Sequence, residues 1–248
     1  MINAVLIGYG KMGKVLEETI KAERDIKCVG IINPRREGKS RSLVELCEEL
    51  SEKGQMPDVV IDFSHPANLK MIIKGMDKYP LPLIMATTGF TDEEIEKIRD
   101  LSKIVPIIFA SNFSVGIALM NRIAKEMVNV LGDSFDVEII EKHHNRKIDS
   151  PSGTARTLVD AIDPQKEFAR KHGREGMGKR AKEIGIHSIR GGTIAGEHTV
   201  IFAGENEVLE LTHRAESNLV FAKGALRAVR FIAGKRPGLY NMDHVLAD

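Results

Sequence analysis

A glycine-rich segment near the start of the chain restricts the fold more than any other feature. Residues 8–13 match the pattern G-x-G-x-x-G, and they directly follow a short apolar run at 4–7. Met12, Leu16 and Ile20 then recur at the spacing of a helix. A buried strand, a glycine turn and a helix in this order predict the beginning of a dinucleotide-binding unit.

Each of the three glycines has its own predicted purpose in this turn. Gly8 makes the tight turn, Gly10 lets a pyrophosphate approach the backbone, and Gly13 lets the helix pack closely on the strand. The helix N-terminus adds N–H donors and a partial positive charge. The alternative is a glycine-rich turn that binds no ligand. The predicted cofactor contacts in this segment are Gly8, Tyr9, Gly10, Lys11, Met12 and Gly13.

Strands and helices alternate over the next hundred residues, which predicts a parallel, doubly wound sheet. A helix beginning near 91 has a capping box formed by Thr91 and Glu94. The predicted strands lie at 26–32, 59–63, 81–86 and 104–110, and the predicted helices at 43–50, 66–78 and 91–103.

The pattern changes near Ser114, and the rest of the chain predicts an α+β domain with antiparallel or mixed strands. We predict an α/β protein with one domain at 1–114 plus 219–248 and a second at 115–218. The charged stretch 163–183 is predicted as loop or short helix, without a function. The other expected elements are helices at 115–131, 154–162 and 219–232, and strands at 135–141, 186–190, 198–203 and 208–213.

Composition narrows the class of protein. The formal net charge of +1 gives no reason to expect nucleic acid or an anionic membrane as a partner. The two cysteines lack the spacing of a metal site, so no metal is predicted. The cysteine usage and the absence of a signal-like segment predict a cytoplasmic protein.

The end of the second predicted strand indicates which nicotinamide cofactor is preferred. An acidic residue there would bind the ribose of NAD, but the chain has Asn33 and Pro34, followed by Arg35, Arg36 and Lys39. Guanidinium groups suit a 2′-phosphate, so NADPH is predicted as the preferred cofactor, with NADH as the second. The alternative is a solvated basic loop.

Two later strand ends also lie where the carboxyl edge of a parallel sheet forms a crevice. Backbone groups and hydroxyls at 86–89 and 110–114 are predicted to hold the nicotinamide ribose and carboxamide. The predicted contacts are Ala86, Thr87, Thr88, Ala110, Ser111, Asn112 and Phe113.

The segment 141–155 contains the residues that suggest chemistry. His143 and His144 follow a strand, and Lys147 lies close behind them. A histidine exchanges a proton near neutral pH, and a lysine stabilises a carboxylate or a developing anion. The helix start at 152–154 offers hydroxyl and N–H donors for a carboxylate. With the glycine turn, this predicts a hydride-transfer enzyme acting on an anionic substrate; the alternative is a solvated loop.

The combined segments resemble the 4-hydroxy-tetrahydrodipicolinate reductase family, also called dihydrodipicolinate reductase. The resemblance spans the whole chain and is most specific at 141–155. The matching segments are GYGKMG at 8–13, VIDFSHP at 60–66, ATTGF at 86–90, ASNFSVG at 110–116, EKHHNRKIDSPSGTA at 141–155, GGTIAGEHTV at 191–200, THRAES at 212–217 and GLYNMDHVL at 238–246.

This resemblance implies a Rossmann-type domain and a second domain that binds substrate and forms the centre of a homotetramer. It implies reduction of a cyclic dicarboxylate to tetrahydrodipicolinate in diaminopimelate and lysine biosynthesis. His143 resembles the general acid and Lys147 the second catalytic group. The implied substrate contacts are His144, Ser152, Gly153 and Thr154. Two rivals stay open: another two-domain NAD(P) oxidoreductase, such as an amino-acid semialdehyde or aspartate dehydrogenase, and a non-catalytic nucleotide sensor.

Overall fold

The structure, a computed structural model, describes residues 1–33 and 41–248. Arg35 and the basic loop predicted to bind a 2′-phosphate lie outside the described residues. The chain divides into two compact units, residues 1–114 with 221–248 and residues 115–220. The helix predicted to return to the first domain therefore contributes most of its length to the first unit.

The first unit is built on six parallel strands with helices between them. Its strands are β1 (Ile2–Ile7), β2 (Ile26–Ile32), β3 (Val59–Asp62), β4 (Leu83–Met85), β5 (Pro106–Phe109) and β11 (Gly238–Tyr240). Its helices are α1 (Lys11–Lys21), α2 (Leu43–Glu52), α3 (Leu69–Lys78), α4 (Asp92–Ser102), α7 (Leu219–Ile232) and α8 (Met242–Ala247).

The strand order β11-β5-β4-β3-β1-β2 places β1 between β2 and β3. The chain winds outward to one side of β1 and then to the other, so the two halves of the sheet diverge at the end of β1. In open α/β sheets, this point at the carboxyl edge is where ligands bind. The strands are nearly continuous apolar runs because helices cover the sheet, and the core contains Val5, Ile7, Val60, Leu83 and Ile107.

Local sequence fixes where the helices of this unit begin. Thr91 and Glu94 form the predicted capping box at the start of α4, and Ser42 forms one with Glu45 at α2. In contrast, α1 begins at Gly10 with no side-chain cap. The first N–H groups of α1 are therefore not covered by a capping side chain, as an anion site at a helix N-terminus requires.

The second unit contains a mixed five-stranded sheet and two helices. Its strands are β6 (Asp136–His143), β7 (Ala169–His172), β8 (Glu183–Arg190), β9 (Gly196–Gly204) and β10 (Glu207–Ala215), and its helices are α5 (Val115–Leu131) and α6 (Gly153–Ile162). The order is β10-β9-β6-β8-β7, with β6 parallel to β8 and antiparallel to β9. The core lies between this sheet and the helices and includes Ile117, Ile139, Leu158, Ile184 and Phe202.

One sequence prediction was wrong in this unit. Residues 163–183 were expected to be loop or short helix, but Ala169–His172 forms β7, paired in parallel with β8 at the edge of the sheet. The sequence ARKH has no apolar alternation, so it gives no strand signal of its own. It forms a strand because its backbone pairs with β8. An ion pair also fixes the chain just before it: Arg170 Nη1 lies 2.6 Å from the buried Asp163 carboxylate.

Candidate active site

The glycine turn after β1 has the geometry that its sequence predicted. Gly8 adopts a φ of +96°, and a β-carbon there would lie 2.3 Å from the carbonyl oxygen of Phe63. A β-carbon at Gly13 would lie 2.1 Å from the Gly8 carbonyl oxygen, whereas one at Gly10 would meet no atom of the described residues within 4 Å. Gly8 and Gly13 are thus required by the packing, while Gly10 leaves bare backbone at the uncapped start of α1. This bare surface fits a pyrophosphate.

Neighbouring strand ends join this turn at one edge of the sheet. The Gly8 N–H donates to the Ile32 carbonyl at 2.9 Å, and the Ser64 N–H donates to Thr87 Oγ1 at 2.9 Å. The Ala110 N–H donates to the Met85 carbonyl at 3.3 Å. The structure therefore brings the predicted residues at 8–13, 86–88 and 110–113 to the same edge.

The predicted cofactor residues differ in how accessible they are. Thr88 and Ser111 are exposed, while Thr87 is buried. Phe113 is also buried, and its ring lies 5.8 Å from that of Phe63. Its carbonyl faces α7, where a β-carbon at Gly224 would lie 1.7 Å from the oxygen. The side chain of Phe113 therefore packs the unit rather than facing solvent.

A buried acid that the sequence analysis gave no function lies at the end of β3. Asp62 is fully buried, and its Oδ1 accepts a 2.5 Å hydrogen bond from the Ser64 hydroxyl. Its Oδ2 is buried, and the described residues offer it no hydrogen-bond partner. Burial raises the pKa of Asp62 to about 6, although hydrogen bonds from Ser64 and Thr87 favour the ionised form.

In the second unit, β6 carries His143 and Glu141 on the same face of the sheet, because side chains two residues apart in a strand point the same way. His143 Nδ1 lies 2.6 Å from Glu141 Oε2. Arg190, beside them on β8, donates from Nη1 to Oε2 and from Nη2 to Oε1 of Glu141, both at 2.7 Å. A bidentate guanidinium thus holds the buried carboxylate on its strand.

Ser152 and His198 complete the surroundings of Glu141. The Ser152 N–H donates to Glu141 Oε1 at 3.1 Å, and Ser152 Oγ lies 3.0 Å from His198 Nε2. The same Oγ caps α6 by accepting from the Ala155 N–H at 3.2 Å. The His198 ring packs edge-on against His143, with centroids 5.2 Å apart. Glu141 is therefore the centre of the cluster to which the predicted residues His143 and Ser152 belong.

The remaining predicted residues follow β6 in the chain. The Lys147 N–H donates to the His144 carbonyl at 3.1 Å, and Lys147 Nζ lies 2.7 Å from Asp149 Oδ1. Gly153 is exposed, with open space where a β-carbon would stand, and Thr154 is buried in α6. The positive charge of Lys147 lies close enough to His143 to lower the pKa of its imidazole.

The protonation states in this cluster follow from its contacts. Burial opposes ionisation of Glu141, but hydrogen bonds from Arg190, Ser188 and His143 outweigh it and hold its pKa at about 2. Burial lowers the pKa of His143, the Glu141 carboxylate opposes this, and Lys147 and Arg190 add to it. Burial lowers the pKa of His198 to about 3. At neutral pH the carboxylate is ionised and His198 is neutral.

The sequence analysis missed Glu141, Arg190 and His198 as site residues. The signal for Glu141 was present, since the order Glu-Lys-His in a strand places the first and third residues on one face. Arg190 and His198 lie on β8 and β9, opposite His143 and Glu141 respectively in the register. No local pattern connects them to β6, because the connection depends on strand pairing.

The described residues contain neither a candidate metal cluster nor a helix suited to crossing a membrane. Within residues 1–33 and 41–248, no group of three or more His, Cys, Asp or Glu side chains is placed to hold a metal ion. Over the same ranges, none of the helices combines the length and apolar character that crossing a membrane requires.

Comparison with known proteins then decides the family. The family described as dihydrodipicolinate reductase, N-terminus, matches residues 2–113, and dihydrodipicolinate reductase, C-terminus, matches residues 116–246. The chain belongs to the dihydrodipicolinate reductase family. It is 43% identical to the 4-hydroxy-tetrahydrodipicolinate reductase of Clostridium novyi (strain NT), covering 99% of this chain and 98% of that protein. It is 44% identical to that of Clostridium tetani (strain Massachusetts / E88), over 99% and 97%.

A solved member of the dihydrodipicolinate reductase family has the same fold. The dipicolinate-bound dihydrodipicolinate reductase from Paenisporosarcina sp. TG-14 superposes with a TM-score of 0.76, 25% identity and 97% coverage of both chains. The amine dehydrogenase from Mycobacterium smegmatis matches with a TM-score of 0.59 at 12% identity, which supports the fold alone. The predicted family, its oxidoreductase class and its α/β fold with a Rossmann-type sheet are confirmed.

Proposed function

We propose that this enzyme reduces 4-hydroxy-tetrahydrodipicolinate to tetrahydrodipicolinate, on the route to diaminopimelate and lysine, with NADPH preferred over NADH. Relatives named for this reductase match along nearly the full length of the chain. The observation that carries the assignment is the cluster on the second unit, where His143, Ser152 and Arg190 surround one ionised carboxylate. Such a cluster supplies a proton-exchanging imidazole whose orientation is fixed.

The substrate side of the proposal rests on donors that suit carboxylates. The neighbouring structure from Paenisporosarcina was solved with dipicolinate, a cyclic dicarboxylate. In this chain, the Lys147 ammonium and the start of α6 at Gly153 offer a cation and a helix N-terminus. We assign the substrate carboxylates to Lys147 and to the donors of His144, Ser152, Gly153 and Thr154.

The cofactor supplies hydride to an electron-poor ring carbon, and the protein must then stabilise and protonate the adjacent carbon–nitrogen system. Lys147 and the donors near Gly153 stabilise the negative charge that develops there. His143 or Lys147 delivers the proton. At the first unit, the turn at 8–13 and the strand ends at 86–88 and 110–113 bind the nucleotide.

The preference for NADPH follows from the sequence after β2, where Asn33 and Pro34 stand in place of an acidic residue and Arg35 follows them. We expect kcat/KM to be higher with NADPH than with NADH in the wild type, and Arg35→Ala to reduce that ratio. The control is Arg24→Ala, because Arg24 is exposed just before β2, at the opposite end of that strand. Equal kcat/KM for the two cofactors, unchanged in Arg35→Ala, would reject the preference.

A substrate panel tests the reaction against its rivals. The wild-type enzyme is mixed with NADPH and the product of the preceding synthase, and separately with NADP⁺ and aspartate, semialdehydes or other amino acids. Oxidation of NADPH only with the synthase product supports the proposal. Turnover of an amino acid or semialdehyde instead would assign a different dehydrogenase, and tight binding of NADPH without turnover would assign a sensor.

A homotetramer and a cytoplasmic location stay predictions. The tetramer predicts a solution mass four times the 27.5 kDa of the chain, measurable by light scattering. A mass equal to one or two chains would contradict it.

A further inference from the structure

We propose that Glu141 is a positioning residue that fixes the tautomer and orientation of His143, so that Nε2 is the atom that exchanges the proton with the substrate. This inference rests on the proposed function only for the identity of the substrate. The orientation itself is a property of the resting protein.

The contacts of Glu141 decide which His143 nitrogen carries the proton. Glu141 accepts two hydrogen bonds from Arg190 and one from the Ser152 N–H. With these donors around it the carboxylate is ionised, and an ionised carboxylate only accepts hydrogen bonds. The 2.6 Å contact with His143 therefore requires a proton on Nδ1. In the neutral ring, Nε2 then has the lone pair.

The space around the ring supports the same orientation. Gly196 begins β9, and a β-carbon there would lie 3.2 Å from His143 Nε2. A glycine at this position leaves room beside the nitrogen that Glu141 does not use. The His198 ring packs edge-on against His143 and further restricts its rotation.

The proton balance of the step is simple. His143 acts as an acid from its doubly protonated form: the Nε2–H bond breaks, a C–H bond forms on the substrate, and neutral His143 keeps its Nδ1–H on Glu141. Solvent then returns a proton to Nε2. The groups facing the ring are Glu141 from β6, Lys147 from the following turn, Arg190 from β8 and His198 from β9. Among them, only Glu141 favours the doubly protonated, positively charged ring.

The direct test is nitrogen-15 NMR of the full-length protein with labelled histidine, at about pH 7.5, above the usual histidine pKa of about 6.5. The expected result is that neutral His143 has its proton on Nδ1. A proton on Nε2, or an even mixture of tautomers, would overturn the inference without any assay of turnover. If the tautomer is as expected but the synthase product is not reduced, the proposed reaction fails and the positioning stands.

Variants separate positioning from packing. In Glu141→Gln, the amide oxygen stays with the Ser152 N–H and Arg190 Nη2, and the amide N–H₂ replaces the oxygen that faces Nδ1. Arg190 Nη1 loses its acceptor there, and the His143 proton moves to Nε2. We expect kcat to fall by about 10²-fold or more. Glu141→Gln is expected to lower kcat when it is introduced into the wild type. It is not expected to lower kcat further in a His143→Gln background, because Glu141 acts through His143. An equal fall in kcat in both backgrounds would show that Glu141 has a structural role only.

Two further variants complete the test. Glu141→Asp keeps the charge and is expected to keep the Nδ1 proton, so it decides the question if Glu141→Gln does not fold. The matched control is Glu138→Gln, on the opposite face of β6, where Glu138 Oε2 lies 2.8 Å from His187 Nε2 and Arg174 donates to Oε1. It removes a similar pair and is expected to leave the His143 tautomer and kcat unchanged. A shift of the His143 tautomer in this control, matching that of Glu141→Gln, would overturn the inference.

Discussion

Each unit of the protein buries one carboxyl group completely, and the two are in opposite electrostatic situations. Asp62 in the first unit has hydroxyl partners, one of its oxygens has no partner in the part of the chain that the structure describes, and its pKa is raised to about 6. Glu141 in the second unit is held by Arg190, and its pKa is lowered to about 2. Both side chains are fully excluded from solvent, and the guanidinium of Arg190 accounts for the opposite direction of the pKa shift at Glu141.

The two units also differ in the kind of surface that each offers to a ligand. The first unit offers backbone at Gly8 and Gly10 and needs no buried ion pair to shape that surface. The second unit fixes a charged side-chain cluster, which is suited to moving a proton. Variants in the two units should therefore differ in whether they change turnover, stability or cofactor binding.

The largest effect is expected from the predicted proton donors of the second unit. His143→Gln and Lys147→Ala should each lower kcat by roughly 10²–10⁴-fold, because each removes a group assigned to proton delivery or charge stabilisation. NADPH binding, measured by fluorescence titration, should be unchanged, since the residues proposed to bind the nucleotide belong to the first unit. Wild-type values of both kcat and KM in both variants would show that the site is elsewhere.

The next effect concerns stability. Arg190→Met leaves the Glu141 carboxylate buried without its bidentate partner and should lower the free energy of unfolding by about 3–5 kcal/mol. Asp62→Asn is the comparison, because Asp62 has no cationic partner within residues 1–33 and 41–248. Urea unfolding at neutral pH should show a much smaller loss in that variant, or a gain. Equal losses would mean that burial alone controls both sites.

The pH dependence of stability should have opposite signs for the two acids. The folded pKa of Asp62 is raised, so its contribution favours folding at low pH and is lost as pH rises from about 4 to about 6. The folded pKa of Glu141 is lowered, so its contribution is present at higher pH and is lost as pH falls from about 4.5 to about 2.

Each group contributes a slope of at most about 1.4 kcal/mol per pH unit. Asp62→Asn should remove the downward slope between about pH 4 and pH 6, measured by chemical unfolding across that range. An unchanged slope in Asp62→Asn would contradict the raised pKa.

The smallest effect is expected at the glycine turn. Gly10→Ala has room within the protein, so the free energy of unfolding should stay within about 0.5 kcal/mol of wild type. NADPH binding should weaken by about tenfold, or about 1.4 kcal/mol, because the new methyl group stands where the pyrophosphate approaches. Gly13→Ala is the contrast, since its β-carbon would strike the Gly8 carbonyl and should destabilise the unit itself. Unweakened NADPH binding in Gly10→Ala would remove Gly10 from the cofactor site.

Elements with strong local patterns could be predicted from the sequence. The bounds of β2, α5 and α7 agree with the expected ranges, because long apolar periodicity leaves few alternatives. The short strand β7 could not be predicted, because it forms only through backbone pairing with β8 and has no local pattern of its own. The strand β11 and helix α8 were also missed, as three and six residues carry too little periodicity.

The candidate site shows the same limit. His143 and Lys147 were predicted as site residues because they lie four residues apart in one recognisable segment. Arg190 was not found, because it is 49 residues from Glu141 in the chain and meets it only through the pairing of β6 with β8. Whether a buried carboxyl is ionised depends on such distant partners, which neither composition nor spacing reveals.

The most direct test of the account is the oxidation of NADPH by the wild-type enzyme with freshly made product of the preceding synthase, compared with His143→Gln under the same conditions. The account predicts stoichiometric oxidation by the wild type, with tetrahydrodipicolinate as the product, and a rate at least about 10²-fold lower in the variant. Binding of NADPH by both proteins with no oxidation in either would contradict it.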